Sequence, residues 1–226
     1  MTDSCFSWSV ELPERGARRV GDRSVRASLR ISSEVGGEEE LPVALAVGKR
    51  LKGLSDGPGA PSSRAELLFK LDELSKACAH ERMEGLVNRR DYSSKELFLR
   101  LVEDGYTRSV SQAIVERACE VGILDDARFG AAFARSKVLS GWGRIKIERE
   151  LSRRGVEASG IPGWPDEFLS PDEERERARA LASRRRLTGK NDYQKIVRFL
   201  CSRGYSLGLS TSVAHEVADA GQHWQL

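Results

Sequence analysis

Three glycines spaced about fifty residues apart, Gly105, Gly155 and Gly204, constrain most of this chain. Four positions before each stands a leucine (Leu101, Leu151, Leu200), eight before an apolar residue (Leu97, Ile147, Ile196), and one after it Tyr106, Val156 or Tyr205. Apolar residues four apart share one face of a helix. A glycine closing such a stripe takes the left-handed conformation that stops the helix and folds the next residue back onto it. The pattern thus predicts a short amphipathic helix with a glycine stop, three times over. Twenty-two and twenty-six positions ahead of the glycine, Phe133 aligns with Ala182 and Phe129 with Ala178, which marks a preceding helix. Each unit reads as a three-helix module of about fifty residues, repeated from roughly 77 to 220.

Helix starts carry their own signal. Ser63 with Glu66, Ser93 with Glu96, Ser109 with Gln112 and Ser170 with Glu173 have capping-box spacing, in which hydroxyl and carboxylate each satisfy an otherwise unpaired amide of the first turn. Pro171 adds the residue favoured at the first helical position.

The first sixty residues have a different period. Phe6, Trp8 and Val10 alternate with serines, and Val25, Ala27, Leu29 and Ile31 alternate with Ser24, Arg26, Ser28 and Arg30, as in half-buried strands. Arg15, Gly16, Gly21 and Asp22 supply turn material between them. Two strands alone are marginal in water, so the stretch LPVALAVGKRL (41 to 51) is expected to cover one face. SDGPGAPSS (55 to 63) reads as a linker or extended loop.

The expected fold is mainly α: a tandem array of three three-helix repeats preceded by a small β-containing N-terminal module. The module and its linker occupy 1–60 and run to about 63. The first repeat with its lead-in helix takes 64–122, the middle repeat 123–170, and the third repeat with the tail 171–226.

Charge separates the repeats from the rest. The whole chain carries a net of only +3. Residues 127 to 155 hold eight basic side chains (Arg128, Arg135, Lys137, Arg144, Lys146, Arg149, Arg153, Arg154) and two acidic ones, a local net of +6. Residues 172 to 203 hold ten against five, a net of +5 that includes Arg184, Arg185, Arg186, Lys190, Lys195, Arg198 and Arg203. Such imbalance over adjacent units predicts an anionic partner. Nearby acids invite ion pairs, with Arg175 beside Glu174 and Arg179 beside Glu176.

Catalytic and metal chemistry find no foothold. Cys5, Cys78, Cys119 and Cys201 lie far apart without metal-ligand spacing, and His80, His215 and His223 are scattered, so no metal, cofactor or disulfide framework is expected. Gly141-Trp142-Gly143 lacks the third glycine and the preceding strand of a phosphate-binding loop and is read as the turn between two helices. Trp142 is read as closing the core over that turn, with base stacking as its alternative. No window approaches the ~18 apolar residues of a membrane span and the N-terminus has no signal-peptide pattern, so a cytoplasmic location is expected. In LDDARFGAAFARS (124 to 136) the acid pair invites a catalytic reading, but adjacent helix residues point about 100° apart and cannot face one cavity. Asp125 instead caps a helix and Asp126 complements its dipole, while Phe129, Ala132 and Phe133 form its buried stripe. Arg128 and Arg135 then fall on the flanks and Lys137 outside.

The segment from Leu124 to Val156 closely resembles the middle repeat of RecX, the bacterial regulator of the RecA recombinase. The residues that carry the resemblance are Leu124, Asp125, Asp126, Arg128, Phe129, Arg135, Gly141, Gly143, Ile147, Glu150, Leu151, Gly155 and Val156. Tyr92-Ser93, Glu96-Leu97, Leu101 and Gly105-Tyr106 are similar to the opening repeat, so the likeness spans about residues 75 to 220. It implies a non-enzymatic protein that binds the RecA filament on single-stranded DNA, contacts DNA through its basic face, and acts as a monomer. The sequence departs from the family pattern after Val156. There EASGIPGWPDEFLS carries Pro162, Gly163 and Pro165, which a helix interior does not accommodate. The rival reading is a helical DNA-binding protein acting without a recombinase.

Overall fold

The computed structural model describes residues 6–14, 25–33, 37–55, 57, 59–186 and 191–222. The turn expected at Arg15, Gly16, Gly21 and Asp22, together with Cys5, Lys190 and His223, lies outside them. The chain divides into two compact units, Met1–Leu124 and Asp125–Leu226.

The first unit opens with an antiparallel sheet of β1 (Ser7–Glu11), β2 (Arg26–Ser33) and β3 (Gly37–Ala44), in that order. Val10 faces Leu29, and Ala27 faces Val43. Period two sends Val10, Ala27, Leu29, Ile31 and Val43 to one face, where they are buried with Val47 and Leu51 of α1 (Leu45–Ser55). The stretch 41 to 51 is therefore not one covering element. Its first four residues complete β3 and only the remainder covers the sheet, because the acidic run Glu38 to Glu40 conceals a strand that the alternation of Leu41 and Val43 continues. At Gly48 a Cβ would stand 2.3 Å from the Ala27 Cβ, so α1 can approach β2 this closely only through a glycine. Beyond α1 the extended loop returns to the sheet, where Trp8 Nε1 donates to the Pro61 carbonyl at 3.2 Å.

The helices that follow are α2 (Arg64–Val87), α3 (Ser94–Glu103) and α4 (Arg108–Glu120). Ser63 accepts the Glu66 amide at 3.3 Å, while the Glu66 carboxylate takes the amide and hydroxyl of Ser62, which hold its pKa below the usual carboxylate value. Ser93 caps α3 as expected, accepting from the Glu96 amide. The cap of α4 is Thr107, not Ser109: the chain leaves Gly105 and Tyr106 and turns helical at once, so Ser109 already lies inside the helix and Gln112 donates to Glu116. Leu97 and Leu101 are fully buried, each stabilising by roughly 1.5–3 kcal/mol.

The second unit contains α5 (Asp126–Leu139), α6 (Arg144–Arg153), α7 (Pro171–Ser183), α8 (Asp192–Arg203) and α9 (Leu207–Gln222). Ser170 caps α7, with Pro171 in the first turn. All three stop glycines have positive φ: +100° at Gly105, +80° at Gly155 and +93° at Gly204. In each case the next amide donates back to the leucine carbonyl of the stripe, Tyr106 to Leu101, Val156 to Leu151 and Tyr205 to Leu200.

The column proposed for the preceding helix is displaced by one residue in the middle repeat. The fully buried pairs are Ala79 with Met83, Gly130 with Ala134, and Ala178 with Ala182; Phe129 and Phe133 are only half-buried, and Ala132 is exposed. From the second buried residue to the stop glycine the middle repeat counts 21 positions (Ala134 to Gly155), where the first and third count 22 (Met83 to Gly105, Ala182 to Gly204). A Cβ at Gly130 would meet Ile161 and Val156 at 2.7 to 3.0 Å, so the small residue is required there.

After Val156 the third helix is reduced to a 3-10 turn, Ala158–Gly160. Six positions beyond the stop glycines stand buried Ser111, Ile161 and Ser210, so the middle repeat begins its third helix in register and loses it at Pro162. Phe168 and Leu169 fill the space instead.

Candidate functional site

Helix ends set the geometry of the basic region. The Gly143 amide donates to the Arg203 carbonyl at 2.9 Å and the Ile145 amide to the Gly204 carbonyl at 3.1 Å. Amides left unpaired at the start of α6 thus meet carbonyls left unpaired at the end of α8, and the opposed helix dipoles attract. Gly141 stops α5 with φ +76°, and Gly143 begins α6 with no room for a Cβ against Gly204. Both glycines of the motif thus serve the turn between α5 and α6. Arg203 Nη1 donates to the Ser140 carbonyl and Tyr205 Oη to the Gly141 carbonyl, both at 3.4 Å; burial pushes the Tyr205 phenol up.

Asp125 caps α5, its carboxylate accepting the Arg128 amide at 2.9 Å, and Asp126 sits in the first turn. Leu124 is buried at the end of the first unit, whereas Ile147 and Leu151 are buried in the second. Glu150 anchors α6: Arg154 donates to it at 2.8 Å and Arg153 approaches at 3.1 Å. The hydrogen bond from Arg154, assisted by both positive charges, holds the Glu150 carboxyl below its usual range.

Lys190 lies outside the described residues, and the other fourteen predicted cations fall into two groups, those engaged within the fold and those that are not. Arg144 pairs with Glu148 at 2.7 Å while its amide donates to Glu174. Lys146 Nζ stands 4.2 Å from the Trp142 ring centroid, and Arg154 lies 4.7 Å over Phe133. Lys137, expected outside the core, is half-buried, 5.2 Å from the rings of Phe133 and Trp142, because its long stem lies along the aromatic surface. Arg135 packs over Phe168, and Arg185 and Arg203 approach Phe199. Lys195 pairs with Asp192, and Arg198 donates to the Gln194 carbonyl. Arg128 is exposed and has an interaction within the fold beyond its capped amide. Arg149, Arg184 and Arg186 are exposed, and among the described residues none of the three has an ion-pair partner. Arg175 pairs with Glu216 on α9, not with Glu174, because adjacent helix residues point apart.

Trp142 is half-buried, with Phe133 edge-on at 6.4 Å and two lysines against its ring. Sequence reasoning missed three exposed apolar side chains at this junction, Leu139, Ile145 and Leu207, because a periodicity argument assigns every apolar residue near a helix stripe to the core.

Two cavities lie elsewhere among the described residues. One of about 560 Å³ is bordered by Trp8, Arg30 and Glu38 to Glu40 of the sheet, and another of about 550 Å³ by Phe98, Val115 and Cys119. Neither includes any of the predicted cations. Among the described residues no group of His, Cys, Asp and Glu is placed to hold a metal ion, and no helix is long and apolar enough to cross a membrane.

Residues 125–161 match the family model for RecX, second three-helix domain. The chain is 34% identical over 140 residues to the regulatory protein RecX of Chromohalobacter salexigens, a match covering 61% of this chain and 90% of that one. With the regulatory protein RecX of Halorhodospira halophila it is 33% identical over 127 residues, covering 54% and 76%. In fold it is similar to a crystal structure of regulatory protein RecX (TM-score 0.57, 20% identity, 93% of this chain and 97% of that one). The crystal structure of RecX from Lactobacillus salivarius is also similar (TM-score 0.54, 15% identity, 64% and 97%). With its repeated helix stop, its mainly helical fold and a relative matched over nine-tenths of its length, this chain belongs to the RecX family of regulatory proteins.

Proposed function

We propose that this protein is a non-enzymatic regulator that binds the RecA filament on single-stranded DNA and inhibits its ATPase, coprotease and strand-exchange activities. Family membership supports the reading. The observation that carries it on this chain is the surplus of cations on the two repeats of the second unit, where Arg149, Arg184 and Arg186 are exposed without an ion-pair partner among the described residues. Exposed pairs such as Arg144 with Glu148 contribute at most about 1 kcal/mol and exchange readily, so the engaged cations also remain available to an incoming polyanion. A repeat array offers many weak contacts along a regular polymer, and its charge steers the encounter with acidic recombinase surfaces and with single- or double-stranded DNA phosphates. In this reading the protein acts as a cytoplasmic monomer without a cofactor.

The test is the steady-state ATP hydrolysis of a matching RecA on single-stranded DNA, titrated with this protein from substoichiometric to equimolar ratios. The expected result is a fall in rate well below equimolar protein. An unchanged rate at saturation, with binding to naked DNA retained, sinks the proposal in favour of a DNA binder that acts without a recombinase.

A further inference from the structure

We infer that Leu139, Ile145 and Leu207 form an apolar anchor with which the second unit seats on an acidic protein surface carrying apolar residues of its own. The inference rests on the proposed regulatory function and makes the recombinase protomer, not the DNA within the filament, the partner of this patch.

The three side chains are 89%, 53% and 66% exposed. Their backbones converge on the junction of helix ends between α6 and α8. Ile145 donates its amide to Gly204, Leu207 follows Gly204 by three residues, and Leu139 precedes Ser140, whose carbonyl accepts from Arg203. Large aliphatic groups left in water around one junction constitute the kind of surface that marks an interaction site.

The repeats provide an internal control. At the matching positions the first repeat carries Asn88, Lys95 and Arg108, all polar and exposed. The local fold thus tolerates a polar residue at each position, and neither capping nor core packing demands leucine or isoleucine. The apolar choice at this junction answers to something outside the unit.

Charge identifies the occupant. Residues 137–146 contain Lys137, Arg144 and Lys146, and residues 198–207 contain Arg198 and Arg203, with no acidic residue in either stretch; Glu148 and Glu174 reach the junction at Arg144 and leave the cations in excess. A basic surround about an apolar centre complements an acidic protein surface. Single-stranded DNA gains little from the centre, because bases stack on aromatic rings and Leu139, Ile145 and Leu207 are aliphatic. A second copy of this chain would bring the same cations face to face.

The experiment compares the whole protein with the double variant Leu139→Ser, Leu207→Ser and with the control Phe69→Ser, whose side chain is 72% exposed in the first unit. Affinity is measured by fluorescence anisotropy for RecA filaments on labelled single-stranded DNA and for the same DNA without RecA. Helical content by circular dichroism checks that each variant is folded. The expected result is a loss of about tenfold or more in filament affinity for the double variant, with naked-DNA affinity unchanged and the control unaffected. Equal loss on naked DNA, or no loss on the filament, overturns the anchor while leaving the regulatory reading intact. A wild type that binds filaments no better than DNA overturns both. If sedimentation shows that the wild type self-associates and the double variant does not, the occupant is a second copy and the proposal fails.

Discussion

Gly143 and Gly204 meet backbone to backbone: a Cβ on Gly143 would lie 2.5 Å from the Gly204 carbonyl carbon, and one on Gly204 would lie 2.3 Å from the Lys146 Cβ. The middle and third repeats are therefore joined by hydrogen bonds between helix ends, with the side chains of Arg203, Tyr205 and Glu174 adding bonds to the same junction. Gly204 also holds φ +93°. Gly204→Ala combines backbone strain with overpacking and should lower stability by about 3 kcal/mol. Gly208 gives the contrast, since a Cβ added there, within α9, would meet no atom within 4 Å. Gly208→Ala should raise stability by up to about 1 kcal/mol. Urea unfolding midpoints of the two variants check both signs, and equal shifts would exclude the close contact.

Asp125 accepts the Arg128 amide at 2.9 Å at the start of α5. Asp125→Ala should therefore destabilise by about 1 kcal/mol, whereas Asp125→Asn, which keeps an acceptor oxygen, should stay within a few tenths. Thermal unfolding of the pair distinguishes a cap from a charge requirement, since a site that needs the negative charge would suffer equally from both.

The three helix stops were legible in the sequence because each rests on local chemistry: a glycine at positive φ, a leucine four residues earlier and an apolar residue one later. Asp125 and the loss of the third helix before Pro162 were legible for the same reason. The one-residue slip that buries Gly130 and Ala134 in place of Phe129 and Phe133 was not, because it depends on how closely α5 meets Ile161 and Val156. The strand Gly37–Ala44 was hidden by its acidic run, which faces water at a sheet edge and so loses the apolar alternation. The division of the cations depends on tertiary neighbours such as Phe168 and Phe199, which spacing does not reveal.

Tyr106 is buried, its hydroxyl donates to the Cys78 carbonyl at 3.1 Å, and desolvation pushes its phenol up from 10 to about 12. The folded state keeps a proton that the unfolded chain releases from pH 10 upward. The contribution to stability is therefore complete below about pH 10 and is lost as pH rises toward 12. Urea midpoints at pH 9 and pH 11 should fall more in the wild type than in Tyr106→Phe, and parallel falls would remove Tyr106 as the cause.

Arg149 lies within α6 and Arg154 is the residue that caps its C-terminus, and they differ in what holds them. Arg154 donates to Glu150 and lies over Phe133, so Arg154→Glu sets two carboxylates together against an aromatic ring and should lower the unfolding midpoint clearly. Arg149 is exposed with no ion-pair partner among the described residues, so Arg149→Glu should leave that midpoint unchanged within about 0.5 kcal/mol. If Arg149 meets phosphate, Arg149→Gln weakens binding to DNA of any sequence and reduces the slope of log affinity against log salt by about 1. If it meets the recombinase protein, the slope on naked DNA stays as it was and only filament affinity falls. Measuring both slopes for Arg149→Gln, with Arg186→Gln as the counterpart in the third repeat, assigns each arginine to one partner, and no change in either affinity would remove these positions from the binding surface.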